Sequence, residues 1–87
     1  MDMSNNIFIV IVEDDRYGVE VQNVYSSLSR AIEMVGHEAA HLADEHNFDL
    51  DDPMNADFIT WGADRSYCNI AQVGSVWIAD RVVDYME

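Results

Sequence analysis

Six consecutive apolar residues, Ile7-Phe8-Ile9-Val10-Ile11-Val12, stand near the start of this chain. Five of them are β-branched and one is aromatic, the residue types that favour strands. An unbroken apolar run, unlike one that alternates with polar residues, is typical of a strand covered on both faces. The sequence therefore predicts that residues 7–12 form the central strand of a sheet.

The residues after this strand predict an antiparallel hairpin. Residues 13–18 contain turn-forming Asp and Gly. The alternation typical of a second strand resumes at Val19, Val21 and Val24. Two strands joined by so short a turn pair antiparallel, so we expect a hairpin in the N-terminal third.

An amphipathic helix is predicted over residues 28–46. Ser26 and Ser27 are suitable N-caps, and Asn47 is a suitable C-terminal stop. Apolar residues at helical spacing define the side that we expect to be buried: Leu28, Ile32, Val35, Ala39 and Leu42.

The chain after the helix contains loop and strand patterns in turn. Residues 48–57 are loop-like, because they are rich in Asp and include Pro53. Residues 58–61 and 67–73 have the aromatic and β-branched content of strands.

The last segment allows two interpretations. Gly74-Ser75 can form a two-residue turn into a final strand. Alternatively, residues 75–86 form a helix, because their polar and apolar residues fall on opposite faces at helical spacing, and we favour this helix. The predicted fold is therefore of the α+β class: a single domain over residues 1–87, in which an N-terminal antiparallel β-hairpin packs on one main helix, with further strands and a short C-terminal helix.

The charge balance is the main indication of function. The 87 residues contain seventeen Asp and Glu, four Arg and no Lys, which gives a formal net charge of -13. Small soluble domains usually keep a net charge of magnitude about 2–8, because a larger excess causes self-repulsion in the compact state. Nine acids and no Lys or Arg lie between Arg30 and Arg65, so the middle third must present a negative field.

This field restricts the classes of partner. Nucleic-acid backbones and anionic membranes are both bound through Lys and Arg, which this chain almost lacks. We therefore expect no direct binding to nucleic acid and no membrane association. A basic protein, itself a nucleic-acid-binding one, is the expected partner. The predicted partner-binding residues are the acids of the helix end, the following loop and the hairpin turn: Asp44, Glu45, Asp49, Asp51, Asp52, Asp57, Glu13, Asp14 and Asp15.

The N-terminal half also carries a resemblance. Residues 7–12, followed by a turn and by Val24-Tyr25-Ser26-Ser27-Leu28-Ser29-Arg30-Ala31-Ile32, resemble the strand, hairpin and helix start of small phage and mobile-element proteins, some of which are anti-CRISPR and other anti-defence inhibitors. The resemblance implies a stoichiometric binder in the host-cell cytoplasm that blocks a nucleic-acid-handling enzyme by occupying either a basic groove or an effector surface. It carries over no functional residue. Carboxylates spaced like phosphates compete for a groove that binds DNA, so the inhibitor is expected to act as a DNA mimic.

One motif supports an enzyme instead. His37-Glu38-Ala39-Ala40-His41 matches His-Glu-x-x-His, in which two histidines one helical turn apart bind zinc and the Glu activates its water. Projection of the helix places both histidines towards solvent and His46 on the buried side, whereas catalytic zinc needs three protein ligands in a cleft. A small zinc-dependent hydrolase is the alternative function. The main prediction includes no catalytic residue, no metal and no cofactor.

The remaining patterns concern the setting of the protein. Asp outnumbers Glu by eleven to six, so adaptation to high salt is a second explanation of the acidity, although seven Ile and six Asn fit it poorly.

The single cysteine, Cys68, is predicted to be a small core residue and agrees with a reducing compartment. The N-terminal apolar run is too short for a signal peptide, so a cytoplasmic location is expected. Trp61 and Trp77 are either core residues or interface anchors.

Overall fold

An antiparallel sheet of five strands with one helix on one of its faces forms the fold. The computed structural model describes residues 4–84, with side chains over residues 6–81. The strands are β1 (Ser4–Asp14), β2 (Gly18–Tyr25), β3 (Ile59–Trp61), β4 (Tyr67–Ile70) and β5 (Gly74–Asp84), in the spatial order β2-β1-β5-β4-β3. The helix α1 (Leu28–Glu45) follows the hairpin, and a short 3-10 helix (Pro53–Phe58) precedes β3. The predicted α+β class is confirmed.

The N-terminal hairpin is also confirmed, with one correction. β1 and β2 pair antiparallel around a turn at residues 15–17, and Gly18 adopts the positive φ of 93° that this turn requires. A β-bulge interrupts the register between Val10 and Ile11. β1 lies between β2 and β5, so the central strand of the sheet is β5 and the prediction for residues 7–12 is wrong on this point.

Both ends of α1 follow their sequence patterns. The Ser27 hydroxyl accepts the backbone N–H of Arg30 at 3.3 Å and caps the first turn. At the other end Asn47 has a φ of 56°, and the backbone N–H of Phe48 donates to the carbonyl of Ala43 at 2.8 Å. This Schellman arrangement ends the helix. The buried side consists of Ala31, Val35, Ala39, Leu42 and Ala43.

Two residues of the predicted stripe lie outside the core: Ile32 is only half-buried, and the other is Leu28. It is the first residue of α1 and its side chain is 42% exposed. α1 begins three residues after the end of β2, which is an edge strand of the sheet.

The C-terminal segment is a strand, so the predicted helix over residues 75–86 is wrong for the described part of that range. β5 pairs with β1 along its whole length, from Asp14 opposite Gly74 to Ser4 opposite Asp84. Val76 is buried with the core, and the next residue, Trp77, points to the opposite face. Pairing with a strand distant in sequence therefore decides the structure of this segment over its helical spacing.

The turn before β5 lies earlier than predicted, at residues 71–73, so the strand predicted over residues 67–73 ends at Ile70 and Gly74-Ser75 is not the turn. β4 ends at Ile70, and a turn over residues 71–73 leads into Gly74, which is the first residue of β5. Gly74 is buried and has a φ of 154°, and a Cβ at this position would overlap the carbonyl oxygen of Glu13 on β1. The neighbouring backbone N–H of Asp15 donates to the carbonyl of Val73 at 3.0 Å. Two turns thus meet at one end of the sheet.

The two faces of the sheet differ in what covers them. On the face beneath α1, the side chains of Val10, Val12, Cys68, Ile70 and Val76 join the buried residues of the helix in the core. On the other face no helix within residues 4–84 lies over the sheet. Strand alternation and the register place these side chains on this open sheet face: Ile7, Ile9, Ile11, Glu13, Val19, Val21, Val24, Tyr67, Asn69, Ser75, Trp77, Ala79 and Arg81.

Candidate functional site

The last turn of α1 carries negative charge at the negative end of the helix dipole. Asp44 and Glu45 are both exposed there, and the last turn contains no basic residue. An acid in this position destabilises a helix by about 0.3–1 kcal/mol at low ionic strength. The field of these carboxylates adds to that of the helix dipole. The C-terminal end of α1 is therefore a strong focus of negative potential.

A groove of about 370 Å³ joins this helix end to the loop that follows it. Asp44 of α1 lines the groove together with Asp49 and Asp51 of the loop. The half-buried apolar side chains of Phe48 and Leu50 also contribute to its walls. We call this the helix–loop groove. It brings three of the predicted partner-binding acids together.

The loop is held by its own hydrogen bonds. The Asp49 carboxylate accepts the backbone N–H of Asp51 at 2.9 Å, and the Asn55 amide donates to the Asp49 carbonyl at 2.9 Å. Asp52 caps the 3-10 helix, because its carboxylate accepts the backbone N–H of Met54 at 2.9 Å. Two of the predicted contact residues, Asp49 and Asp52, therefore also have a structural role.

A second acidic groove, of about 570 Å³, lies between the hairpin and α1. We call it the hairpin–helix groove. Glu45 lines it, and His41 beside it lies 3.3 Å from the Glu45 carboxylate. Two acids that the sequence analysis did not select, Glu20 and Glu38, also line this groove. The alternation of β2 indicates from sequence that Glu20 points to the opposite face from Val19 and Val21. The packing of α1 shows that this is the face covered by the helix.

One of the predicted partner-binding residues, Asp14, is buried and so does not belong to the exposed acids. It is 8% exposed, because it continues the inward alternation of Val10 and Val12. Its carboxylate accepts the backbone N–H of Arg16 at 2.8 Å and lies 3.1 Å from Nε2 of His46. Asp14 thus ties the hairpin turn to the end of α1 and is not part of the exposed acidic surface.

The hydrogen bonds around Asp14 predict a pH dependence of stability. The backbone N–H of Arg16, followed by the side chains of Arg16 and His46, lowers the pKa of Asp14 from 3.8 to about 2, against an opposing effect of burial. A carboxyl whose pKa is lower in the folded state stabilises the fold above its unfolded pKa. We expect this stabilisation to be present above about pH 4 and to be lost as the pH falls to about 2.

Chemical denaturation of Asp14→Asn and the parent protein across this range measures the effect. The difference in unfolding free energy should be largest above about pH 4 and should shrink towards pH 2. Asp15→Asn, in the exposed turn beside it, controls for the loss of one charge. A difference between Asp14→Asn and the parent that does not change with pH would contradict the interpretation.

The other predicted acids occupy separate positions. Asp15 lies exposed in the hairpin turn, and Asp57 lies exposed in the 3-10 helix. Glu13 is on the open sheet face, opposite Ser75 of β5. The structure therefore brings Asp44, Asp49 and Asp51 together, with Glu45 in the adjoining groove, and it does not bring Glu13 to them.

The His-Glu-x-x-His motif lies on α1 as its pattern requires. His37 and His41 are both exposed, as the helix projection predicts. His46 is half-buried beside Asp14. Over the described residues no three His, Cys, Asp or Glu side chains converge on a position that could hold a metal ion. The geometry gives His37 and His41 no third ligand within this part of the chain.

Three further residues are placed by the structure. Cys68 is fully buried, and burial raises the pKa of its thiol to about 11, so it is a core residue as predicted. Trp61 packs against the core, with the Arg65 guanidinium 4.4 Å from its ring centre. Trp77 lies half-buried on the open sheet face.

Within residues 4–84 no helix is both long and apolar enough to span a membrane. Comparison of the chain with protein families, with curated proteins and with solved structures finds no match.

Proposed function

We propose that this protein is a non-catalytic binder that inhibits a basic, nucleic-acid-handling protein by occupying the surface where that protein binds phosphates. The exposed acids at the end of α1 and in the following loop form the binding surface. The inhibitor belongs to the functional class of phage anti-defence proteins and acts in the cytoplasm as a mimic of DNA charge.

One observation carries this proposal: acids accumulate where they oppose the stability of the fold. Asp44 and Glu45 stand at the negative end of the α1 dipole. The chain has no Lys or Arg between Arg30 and Arg65. In space, Arg16 and His41 lie near Glu45, whereas Asp44 forms no salt bridge with any of the described residues. We take charge that lowers the stability of the fold as a sign that it serves an interaction. The negative field of these acids favours binding to a positively charged surface.

The neighbouring apolar side chains support a protein as the partner. Met54 is 83% exposed between Asp52 and Asp57, and Phe58 is 49% exposed beside them. The Phe58 ring packs edge-on against Phe48, with the ring centres 6.5 Å apart. Interfaces combine such apolar anchors with a polar or charged rim. The acids provide attraction and orientation, and these two side chains provide apolar contact.

Affinity at different salt concentrations tests the proposal. The full chain is immobilised, a basic nucleic-acid-binding partner is recovered from the host lysate, and the dissociation constant of the pair is measured between about 50 and 200 mM salt. We expect the affinity to fall steeply, by on the order of tenfold or more, because screening weakens contacts between exposed charges. Duplex DNA should compete with this protein for the same surface of the partner.

Two outcomes would contradict the proposal. An affinity that does not change with salt would show that the acids do not form the contact. A ternary complex, in which the partner holds DNA and this protein together, would exclude competition for the phosphate-binding surface.

A further inference from the structure

Most of the side chains that the register places on the open sheet face are apolar. The three β2 valines on it, Val19, Val21 and Val24, are 62%, 57% and 47% exposed, and Tyr67 of β4 is 39% exposed. The half-buried side chains between them are those of Ile7, Ile9, Ile11, Trp77 and Ala79. Contiguous apolar surface of this extent on a small protein marks an interaction site.

The sequence pattern of β1 agrees with a missing layer. An unbroken apolar run is typical of a strand covered on both faces. In residues 7–12, α1 covers only the side chains on one face of the strand, which include Val10 and Val12. The odd-numbered residues, Ile7, Ile9 and Ile11, are only partly buried in the single chain. A second layer would complete their burial.

Among the described side chains of the open sheet face, the charged ones lie at its two ends. Arg81 lies opposite Ile7 in the register of β1 and β5, and Glu13 lies opposite Ser75. The two charged side chains are therefore separated by six residues along β1, or about 20 Å. The rows between them contain Ile9 with Ala79, and Ile11 with Trp77.

This arrangement is complementary to itself. Consider a two-fold axis that lies in the plane of the interface, perpendicular to the strands. Rotation about this axis makes the strands of the second copy run opposite to those of the first. It places Glu13 of each copy near Arg81 of the other, with the apolar rows in contact between them. Closed two-fold pairs of this kind are the commonest oligomers of soluble proteins.

We propose that the open sheet face binds a second copy of this chain, forming a dimer in which two sheets pack face to face between two outer helices. Aligned sheets pack in this way at about 10 Å separation. A face four strands wide and seven residues long covers on the order of 450 Å² in projection. The accessible area exceeds the projection, so two copies reach the roughly 1,000 Å² that a specific interface requires.

The net charge of -13 per copy does not prevent this association. The acids of both grooves lie on the α1 side of each sheet, so in the dimer they point away from the interface. The two acidic surfaces are then separated by more than the sheet spacing of about 10 Å, which exceeds the Debye length of about 8 Å at physiological salt. The dimer leaves both acidic surfaces accessible.

Sedimentation equilibrium of the full chain over a range of concentrations tests the proposal. We expect a monomer–dimer equilibrium that shifts towards the dimer as salt rises, because salt screens the repulsion between two acidic copies. This dependence is opposite in sign to that expected for the basic partner, so either proposal can fail without the other. A chain that stays monomeric at all concentrations would overturn the dimer.

Two sets of variants locate the interface. Val21→Lys places a charge on the open sheet face and should raise the dimer dissociation constant at least about tenfold, a change of about 1.4 kcal/mol. Gln22→Lys adds the same charge on the same strand, but Gln22 lines the hairpin–helix groove, so dimerisation should be nearly unchanged. Circular dichroism checks that both variants fold.

The charge exchange is the sharper experiment. Glu13→Arg and Arg81→Glu should each weaken the dimer, and the double variant should recover most of the loss. The two residues are about 20 Å apart within one chain, so recovery requires a contact between copies. Equal dimerisation by Val21→Lys and the parent, or a double variant no stronger than the two single ones, would overturn this interface.

Discussion

Reversal of Asp44, Asp51 and Asp57 to Lys is expected to abolish measurable binding to the basic partner, with a loss of affinity of about a hundredfold or more. These three side chains are exposed, and within the described residues their carboxylates accept no hydrogen bond. The substitution converts attraction to repulsion at three places on the acidic surface, which slows association and also weakens the complex. Asp51 and Asp57 contribute little to stability as exposed charges, and a Lys in place of Asp44 suits the negative end of the α1 dipole, so the melting temperature should stay the same or rise slightly.

A matched triple variant separates position from total charge. Glu20, Glu33 and Asp80 are exposed acids away from the helix–loop groove, and their reversal to Lys changes the net charge by the same amount. Surface plasmon resonance of both triple variants against the partner gives the comparison. Equal losses in the two variants would show that net charge, and not the surface at the end of α1, determines binding.

Substitution of Gly74 by Ala is expected to have the largest effect on stability, a loss of about 3 kcal/mol or more in the free energy of unfolding. The added Cβ would overlap the backbone carbonyl of Glu13 and would also lie 3.1 Å from the Leu42 side chain. The φ of 154° adds strain for any residue with a Cβ. Since Glu13 belongs to the paired strand β1, the clash cannot be relieved without separating β1 from β5 at this end.

Gly36→Ala is the matched control. Gly36 lies inside α1, and a Cβ there would have no atom within 4 Å. This substitution should stabilise the protein by about 0.5–1 kcal/mol, because Ala is the better helix former. Denaturant unfolding of the two variants should therefore give changes of opposite sign. A Gly74→Ala protein as stable as the parent would show that the turn before β5 differs from the one described.

The elements set by short-range interactions were predictable from sequence. Ser27 caps α1 and Asn47 ends it because each acts on the backbone within four residues of itself. The structure of β5 was not predictable in this way. Its helical spacing is a local property, whereas its strand conformation depends on eleven pairs with β1, which no local pattern records.

The candidate site shows the same division. The unopposed acids between Arg30 and Arg65 indicate a negative surface from sequence alone. The grouping of Asp44 with Asp49 and Asp51 depends on how the chain turns after α1. The inward position of Asp14 follows the alternation of β1. The sequence pattern predicts a strand over residues 7–12 only, whereas β1 continues to Asp14.

The pairing of β1 with β5 also determines the order in which the protein folds during synthesis. The β1–β2 hairpin and α1 contain local contacts and can form within microseconds of leaving the ribosome. The other edge of β1 has to wait for Gly74–Asp84, which at about 5–20 residues per second takes several seconds. An exposed apolar strand edge readily pairs with other chains during such a delay. The net charge of -13 opposes the close approach of other copies to this edge before β5 pairs with it.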